Sequence, residues 1–300
     1  GGWESAGWVP PSRDGAGFAS RHAEDAALLA AHGLGSLRVT LEWARLEPRP
    51  SERGFDPVEV ERYRGVLRSI RAAGLQAWAC LVHTTLPGWF SEDERGFLDD
   101  RMTARVWPRH VDRAGEAFGD LVDGWVTIHE PVRHALDAWL HGSLPPARRD
   151  PDDARRGLRH LLVADAEAAR LLRVPGRAPV ASSRWLPPVF ALEPTPECRE
   201  AAAQADHLLW RSWRDHDDPA TWLGVSCSHA LGVGPDGSFH PWPLGAEVVP
   251  TGVAPWPEAL GEALHRVGDE HGKRPVVVLT GAADVDDERR DRTLLGLRAA

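Results

Sequence analysis

His129 and Glu130 place an imidazole directly before a carboxylic acid, at the end of the apolar run 124–129 and just ahead of Pro131. A carboxyl group beside a histidine is enough to give and take a proton, which is the minimum for general acid/base chemistry. Other apolar runs also end on side chains with chemical potential. These are Arg38 with Glu42 and Trp43, then His83, then Arg184 with Trp185, then Ser226 to His229 with Ser228 among them, and finally Leu279 and Thr280. His83, His129, Glu130 and His229 are donors of the kind that hold Zn²⁺, yet no short-spaced ligand pair such as His-Glu-x-x-His occurs, so no metal is assigned. Trp89, Trp125, Trp139 and Trp185 are candidates to stack on a ring-shaped ligand, whereas Trp210, Trp213 and Trp222 read as core. Each residue also has a plainer reading. Glu130 could cap or pair at a strand end, His83 could be a satisfied core histidine, and Arg38 could neutralise a buried carboxylate.

The elements that must hold these side chains alternate in type. Apolar runs at 36–43, 76–83, 124–129, 178–186, 221–227 and 275–280, each bounded by Gly, Pro or charge, predict buried parallel strands. Between them, segments 20–32, 57–73, 105–119, 152–173, 196–216 and 256–271 carry apolar residues at three- and four-residue spacing and predict helices. Repeated strand-helix units without a Gly-rich nucleotide loop favour a (β/α)8 barrel over a doubly wound sheet, as one domain over 1–300. In that fold the C-terminal strand ends carry the chemistry, and Arg38, His83, His129, Glu130, Arg184 and Ser228 all fall at or near such ends.

The 300 residues are 42% hydrophobic and 26% charged, with a net charge of -9, which disfavours nucleic acid or an anionic membrane as partner. Neither a membrane-length apolar run nor a signal pattern is seen, so the cytoplasm is the expected location. Cys80, Cys198 and Cys227 are odd in number and far apart, which predicts reduced thiols rather than a disulfide framework or a cysteine zinc site.

With their flanks, the strand ends resemble glycoside hydrolase family 1, the β-glucosidase family. LRVTLEWARLEP at 37–48 is similar to the family's second strand, LVHTTLPGWF at 81–90 to its third, and WVTIHEP at 125–131 to the Trp-x-Thr-x-Asn-Glu-Pro of its fourth. GVSCS at 224–228 stands in the place of Gly-x-Asn-Tyr-Tyr. WPEALGEALHRV at 256–267 is similar to the helix before the seventh strand, and GAADVDDERR at 281–290 to the stretch after the catalytic Glu-Asn-Gly. The resemblance implies a (β/α)8-type barrel, here incomplete, with about six of the eight strands identifiable and no counterpart of the first and the eighth.

It further implies that Glu130 is the acid/base of a retaining glycosidase, whose second carboxylate would be the nucleophile. Leu279 stands at that nucleophile position and Thr280 at the neighbouring Asn, and a leucine side chain has no lone pair with which to attack carbon. His129 replaces the Asn that contacts the sugar 2-hydroxyl, in a chain that contains no Asn at all. Tyr63 lies in a helical segment, so the supporting Tyr is missing from 226–228. Arg38, His83, Trp125, His129, Trp185 and Ser228 are the expected ligand contacts. The expectation is a divergent barrel that binds a small glycoside-like molecule, or does other acid/base chemistry, without cofactor or metal and in an unassigned oligomeric state. An active β-glycosidase would need another carboxylate, for which Glu42 and Asp284 are the candidates, and a non-enzymatic interaction protein is the third reading.

Overall fold

The computed structural model describes residues 17–173, 178–249, 252–272, 276–279 and 287–299. The chain divides into two compact units, residues 1–182 and 183–300.

The first unit opens with α1 (Phe18–Ala31), β1 (Ser36–Thr40), a single turn α2 (Trp43–Leu46), α3 (Pro57–Ala72) and β2 (Gln76–Val82). It continues with α4 (Trp107–Phe118), β3 (Gly124–His129), the short α5 (Pro131–Ala135) and α6 (Pro151–Leu172), and ends within β4 (Val180–Trp185). β1, β2 and β3 pair in parallel, with Arg38 opposite Trp78 and Trp78 opposite Gly124. Gly124 is required there, because a Cβ at that position would sit 2.4 Å from the Trp78 ring.

Strand alternation sorts the side chains. Leu37, Val39, Ala77, Ala79 and Leu81 join the apolar core, which leaves Arg38, Thr40, Trp78 and Cys80 on the opposite face. Ile70 and Leu67 of α3, Phe118 of α4 and Leu161 of α6 are fully buried in that core, each contributing roughly 1.5–3 kcal/mol of hydrophobic stabilisation.

Helix starts follow one local device. Asp56 caps α3 by accepting from the Val58 N–H at 2.8 Å, and Asp150 caps α6 by accepting from the Asp152 and Asp153 N–H groups. In both cases a proline occupies the first helical position, where its missing N–H costs nothing.

The second unit completes β4 and adds β5 (Val189–Ala191), α7 (Pro196–Trp210), β6 (Leu223–Ser226), β7 (Ala230–Val233), β8 (Phe239–Trp242), α8 (Glu258–His271), β9 (Val276–Leu279) and α9 (Asp287–Ala299). β6 pairs in parallel with β4 and with β9. β5, β7 and β8 form a small separate sheet, with Phe190 stacked on Trp242 at 4.8 Å. Trp210 and Trp213 are core residues, as their sequence context implied. All three cysteines are free and buried. Among the described residues no helix is long and apolar enough to cross a membrane.

Candidate active site

β3 ends at His129, and the chain must turn at once because Pro131 begins α5. Glu130 makes that turn in the left-handed region, at φ 48° and ψ 63°, a conformation that costs a non-glycine residue about 1 kcal/mol. It stands at the N-cap of α5, yet its side chain makes no capping bond, unlike Asp56 and Asp150 at the equivalent places. Of the plainer reading of Glu130, the capping half is therefore excluded, while the pairing half stands, with His129 and Arg133 as its partners.

The carboxylate is buried between two nitrogen donors. Oε1 lies 3.5 Å from Nε2 of His129, and Oε2 lies 3.5 Å from Nη1 of Arg133, one turn along α5. Behind His129, Nη1 of Arg38 donates to Nδ1 at 3.1 Å. Arginine never accepts a hydrogen bond, so Nδ1 of His129 is the acceptor and the ring proton sits on Nε2, facing Glu130. The His83 ring meets the His129 ring edge to face, with centroids 4.3 Å apart.

Burial, together with His83, Arg38 and Arg133, pushes His129 down to about 2. His83 goes down to about 4, from burial first and the same two guanidiniums second. Both imidazoles are thus neutral at physiological pH, and Glu130 faces a fixed N–H dipole on one side and a guanidinium on the other. Such a carboxyl group, at a C-terminal strand end and free of a capping bond, has the surroundings that proton transfer requires.

Arg133 and Asp137 were not marked by the sequence pattern. Arg133 also lies 3.6 Å, through Nε, from Oδ2 of Asp137, so it spans two carboxylates. Asp137 accepts from Ser143 Oγ at 3.0 Å and is held below the usual carboxylate range, against its own burial, chiefly by bonds from His141 and Ser143. The spacing 130, 133, 137 along a helix begun by Pro131 was the available signal.

Several expectations are corrected. Trp125 sits at the opposite end of β3 from Glu130, about 16 Å away at 3.3 Å per residue. It shares a strand face with Thr127, which bonds Asp165 on α6, and it lines a 250 Å³ cleft with Val111, Glu116 and Leu171. Trp125 packs under the helix layer rather than on a ligand. Trp139 is buried against Gly157 of α6 and is likewise core. Glu42 is tied to Arg45 at 2.6 Å, and its N–H donates to Tyr63 Oη. Trp89 donates to the Glu47 carbonyl at 2.8 Å. Thr280 and Asp284 lie outside the described residues.

In the second unit, register sets Trp185 beside Ser226, and Ser226 beside Leu279, in one row across the ends of β4, β6 and β9. Trp185 is buried with its ring centroid 6.1 Å from that of His229, and Ser228 Oγ lies 3.1 Å from Nδ1 of His229. Among the described residues no group of three or more His, Cys, Asp or Glu side chains converges as for a metal ion.

The family model of Glycosyl hydrolase family 1 matches residues 15–216. A cyanidin 3-O-glucoside 7-O-glucosyltransferase (acyl-glucose) of Delphinium grandiflorum is 30% identical over 166 residues, 51% of this chain and 32% of that protein. The chain thus spans about a third of that curated relative's length. A solved β-glycosidase from Pyrococcus horikoshii superposes with a TM-score of 0.82 at 22% identity, over 94% of this chain and 70% of the other. The β-glucosidase from Thermotoga maritima, solved in complex with glucoimidazole, does so with a TM-score of 0.80 at 20% identity, over 94% and 73%. The fold is that of a (β/α)8-type barrel, with six strands of its sheet among the described residues.

Proposed function

Because the chain belongs to glycosyl hydrolase family 1, we propose that the Glu130 pocket takes a small glycoside-like molecule and that Glu130 is its proton donor and acceptor, without a retaining nucleophile. The observation that carries this reading is the Glu130 carboxylate itself, which makes no capping bond and is buried between His129 and Arg133. The glucoimidazole complex of the Thermotoga maritima enzyme, and the glucoside named for the Delphinium grandiflorum relative, support a glycoside as the ligand class.

In a retaining hydrolysis the acid protonates the glycosidic oxygen while a second carboxylate displaces it and forms the glycosyl-enzyme bond. Glu130 can do the first half. Leu279, which the family's pattern sets at the nucleophile position, offers no electron pair for the second. Binding, or proton transfer on a ligand that needs no covalent intermediate, is what this set of side chains supports.

The test is hydrolysis of an aryl β-glucoside by the purified chain beside its Glu130→Gln and Leu279→Glu variants. The expected result is no turnover in the parent and turnover gained in Leu279→Glu. Turnover in the parent that disappears in Glu130→Gln would overturn the loss of the nucleophile, and silence in every variant would overturn the sugar site.

A further inference from the structure

We infer that Asp137 is a positioning residue for Glu130: it holds the Arg133 guanidinium from a second side and takes a share of its charge, so that Glu130 is not locked in its ionised form. This deepens the reading of Glu130 as a proton donor and acceptor and rests on it.

A group that gives and takes a proton must be able to exist in both states. Positive charge crowds Glu130. Arg133 lies 3.5 Å from Oε2, and Arg38 acts on the same carboxylate through His129, whose Nε2 lies 3.5 Å from Oε1. His83, packed on His129, and His134 of α5 are kept neutral by burial and offset none of that charge. A carboxyl group facing cations alone would keep its ionised form and make a poor acid.

Asp137 supplies the opposing charge. α5 runs directly into a further helical turn, Leu136–Leu140, so residues 130, 133 and 137 follow one another at the spacing of one helix face. Oδ2 of Asp137 lies 3.6 Å from Nε of Arg133, a different nitrogen from the one that meets Glu130. Oδ1 is taken by Ser143 Oγ at 3.0 Å and by His141 Nδ1 at 3.5 Å. The Asp137 carbonyl accepts from the Ser143 and Leu144 N–H groups at 2.8 and 3.0 Å. Asp137 is thus fixed in place and, against its own burial, kept ionised by His141, Ser143 and Arg133. The Arg133 side chain is 44% exposed, so it is free to leave Glu130 for water unless its other edge is held. At 3.5–3.6 Å both contacts act through charge rather than as tight hydrogen bonds, which is why a shift in proton affinity is the effect to read.

The experiment is a 13C NMR titration of the side-chain carboxyls in the unliganded full chain, with the two signals assigned by their loss in Glu130→Gln and Asp137→Glu. Asp137→Asn keeps the shape of the side chain and an oxygen for Ser143 but removes the charge. It is expected to lower the Glu130 midpoint by about half a unit to one unit, since Arg133 then serves Glu130 alone. Asp137→Glu, which keeps the charge, is expected to stay within about 0.3 units of the parent. In an Arg133→Gln background the effect of Asp137→Asn is expected to shrink by about half or more, because it passes through the guanidinium.

An unchanged or raised Glu130 midpoint in Asp137→Asn would overturn the inference, and so would an effect that survives in full without Arg133. Should Asp137→Asn not fold, Arg133→Gln alone decides: loss of a shared guanidinium raises the Glu130 and Asp137 midpoints together, and a rise at Glu130 alone overturns the sharing. The sugar reading stands or falls separately, because the titration uses no ligand. If Leu279→Glu gains turnover of the aryl β-glucoside, adding Asp137→Asn is expected to move the alkaline limb of its kcat/KM profile to lower pH by the same amount as the Glu130 midpoint. A limb that stays in place would overturn the inference and leave the sugar site standing, whereas silence of Leu279→Glu would overturn the sugar site and leave the titration to decide on Asp137.

Discussion

The left-handed backbone at Glu130 is a local cost carried by the residue that we propose as the proton donor and acceptor. Without the side chain, only the backbone preference remains, and glycine adopts this region freely whereas alanine does not. Glu130→Gly is therefore expected to be about 1 kcal/mol more stable than Glu130→Ala, the reverse of the order found at ordinary helical positions. Urea unfolding of the two variants measures this, and equal midpoints would show that the turn carries no strain. His129 offers a second check at the same scale. Since Arg38 donates to Nδ1 and burial keeps the ring neutral, long-range nitrogen-proton NMR is expected to show the Nε2–H form, with no titration between pH 8 and 5. A Nδ1–H signal, or a midpoint near 6.5, would break the link from Arg38 through His129 to Glu130.

At the level of elements, the packing of α6 against the segment after α5 explains why a glycine sits inside a long helix. Exchanging Gly157 for alanine would raise helix propensity by about 1 kcal/mol. The added Cβ, however, would lie 2.2 Å from the buried ring of Trp139. The clash outweighs the propensity, and Gly157→Ala is expected to lower stability by roughly 1–3 kcal/mol, as read from denaturant midpoints. A stabilised variant would mean that Trp139 moves easily. Trp139 also illustrates what the sequence leaves open. The helix periods at 57–73 and 152–173 and the apolar run at 124–129 mark real elements almost to the residue, because Pro, Gly and charge punctuate them. Which tryptophans meet a ligand depends on strand parity and on which end of a strand faces the pocket, and Trp125 fails on both counts. The small sheet of β5, β7 and β8 escapes periodicity because its strands are three or four residues long, interrupted by Gly232 and Pro241. Glu130, His129, Arg38 and His83 were legible as candidates. Their pairing was not, since it depends on a turn at positive φ, and neither was the bridge from Glu130 through Arg133 to Asp137.

For the molecule as a whole, buried histidines set how stability depends on pH. His110 is fully buried, stacked on Trp43 at 4.0 Å, with no hydrogen-bond partner for either ring nitrogen among the described residues. Burial, helped by Arg113, holds it down at about 3. His134 is held down at about 4 by burial, and His83 and His129 are depressed in the same direction. In the unfolded chain each would titrate near 6.5. Between pH 7 and 5 the unfolded state therefore binds protons that the folded state refuses, so stability falls as the pH drops through that window. The penalty saturates only below the folded-state values, near 4 and under. Depressed carboxylates such as Asp137 do not contribute in this interval, because the folded state holds them below the usual range and the unfolded chain keeps them ionised until about pH 4. The cost for a fully buried imidazole is about 2 kcal/mol between pH 7 and 5. His110→Phe keeps an aromatic ring against Trp43 and removes the proton acceptor, so its stability is expected to fall about 2 kcal/mol less than that of the parent over the same interval. Urea midpoints at pH 7, 6 and 5 decide the matter: parallel pH profiles for parent and variant would mean that His110 takes up its proton in the folded state, and that the cage around Trp43 opens to water.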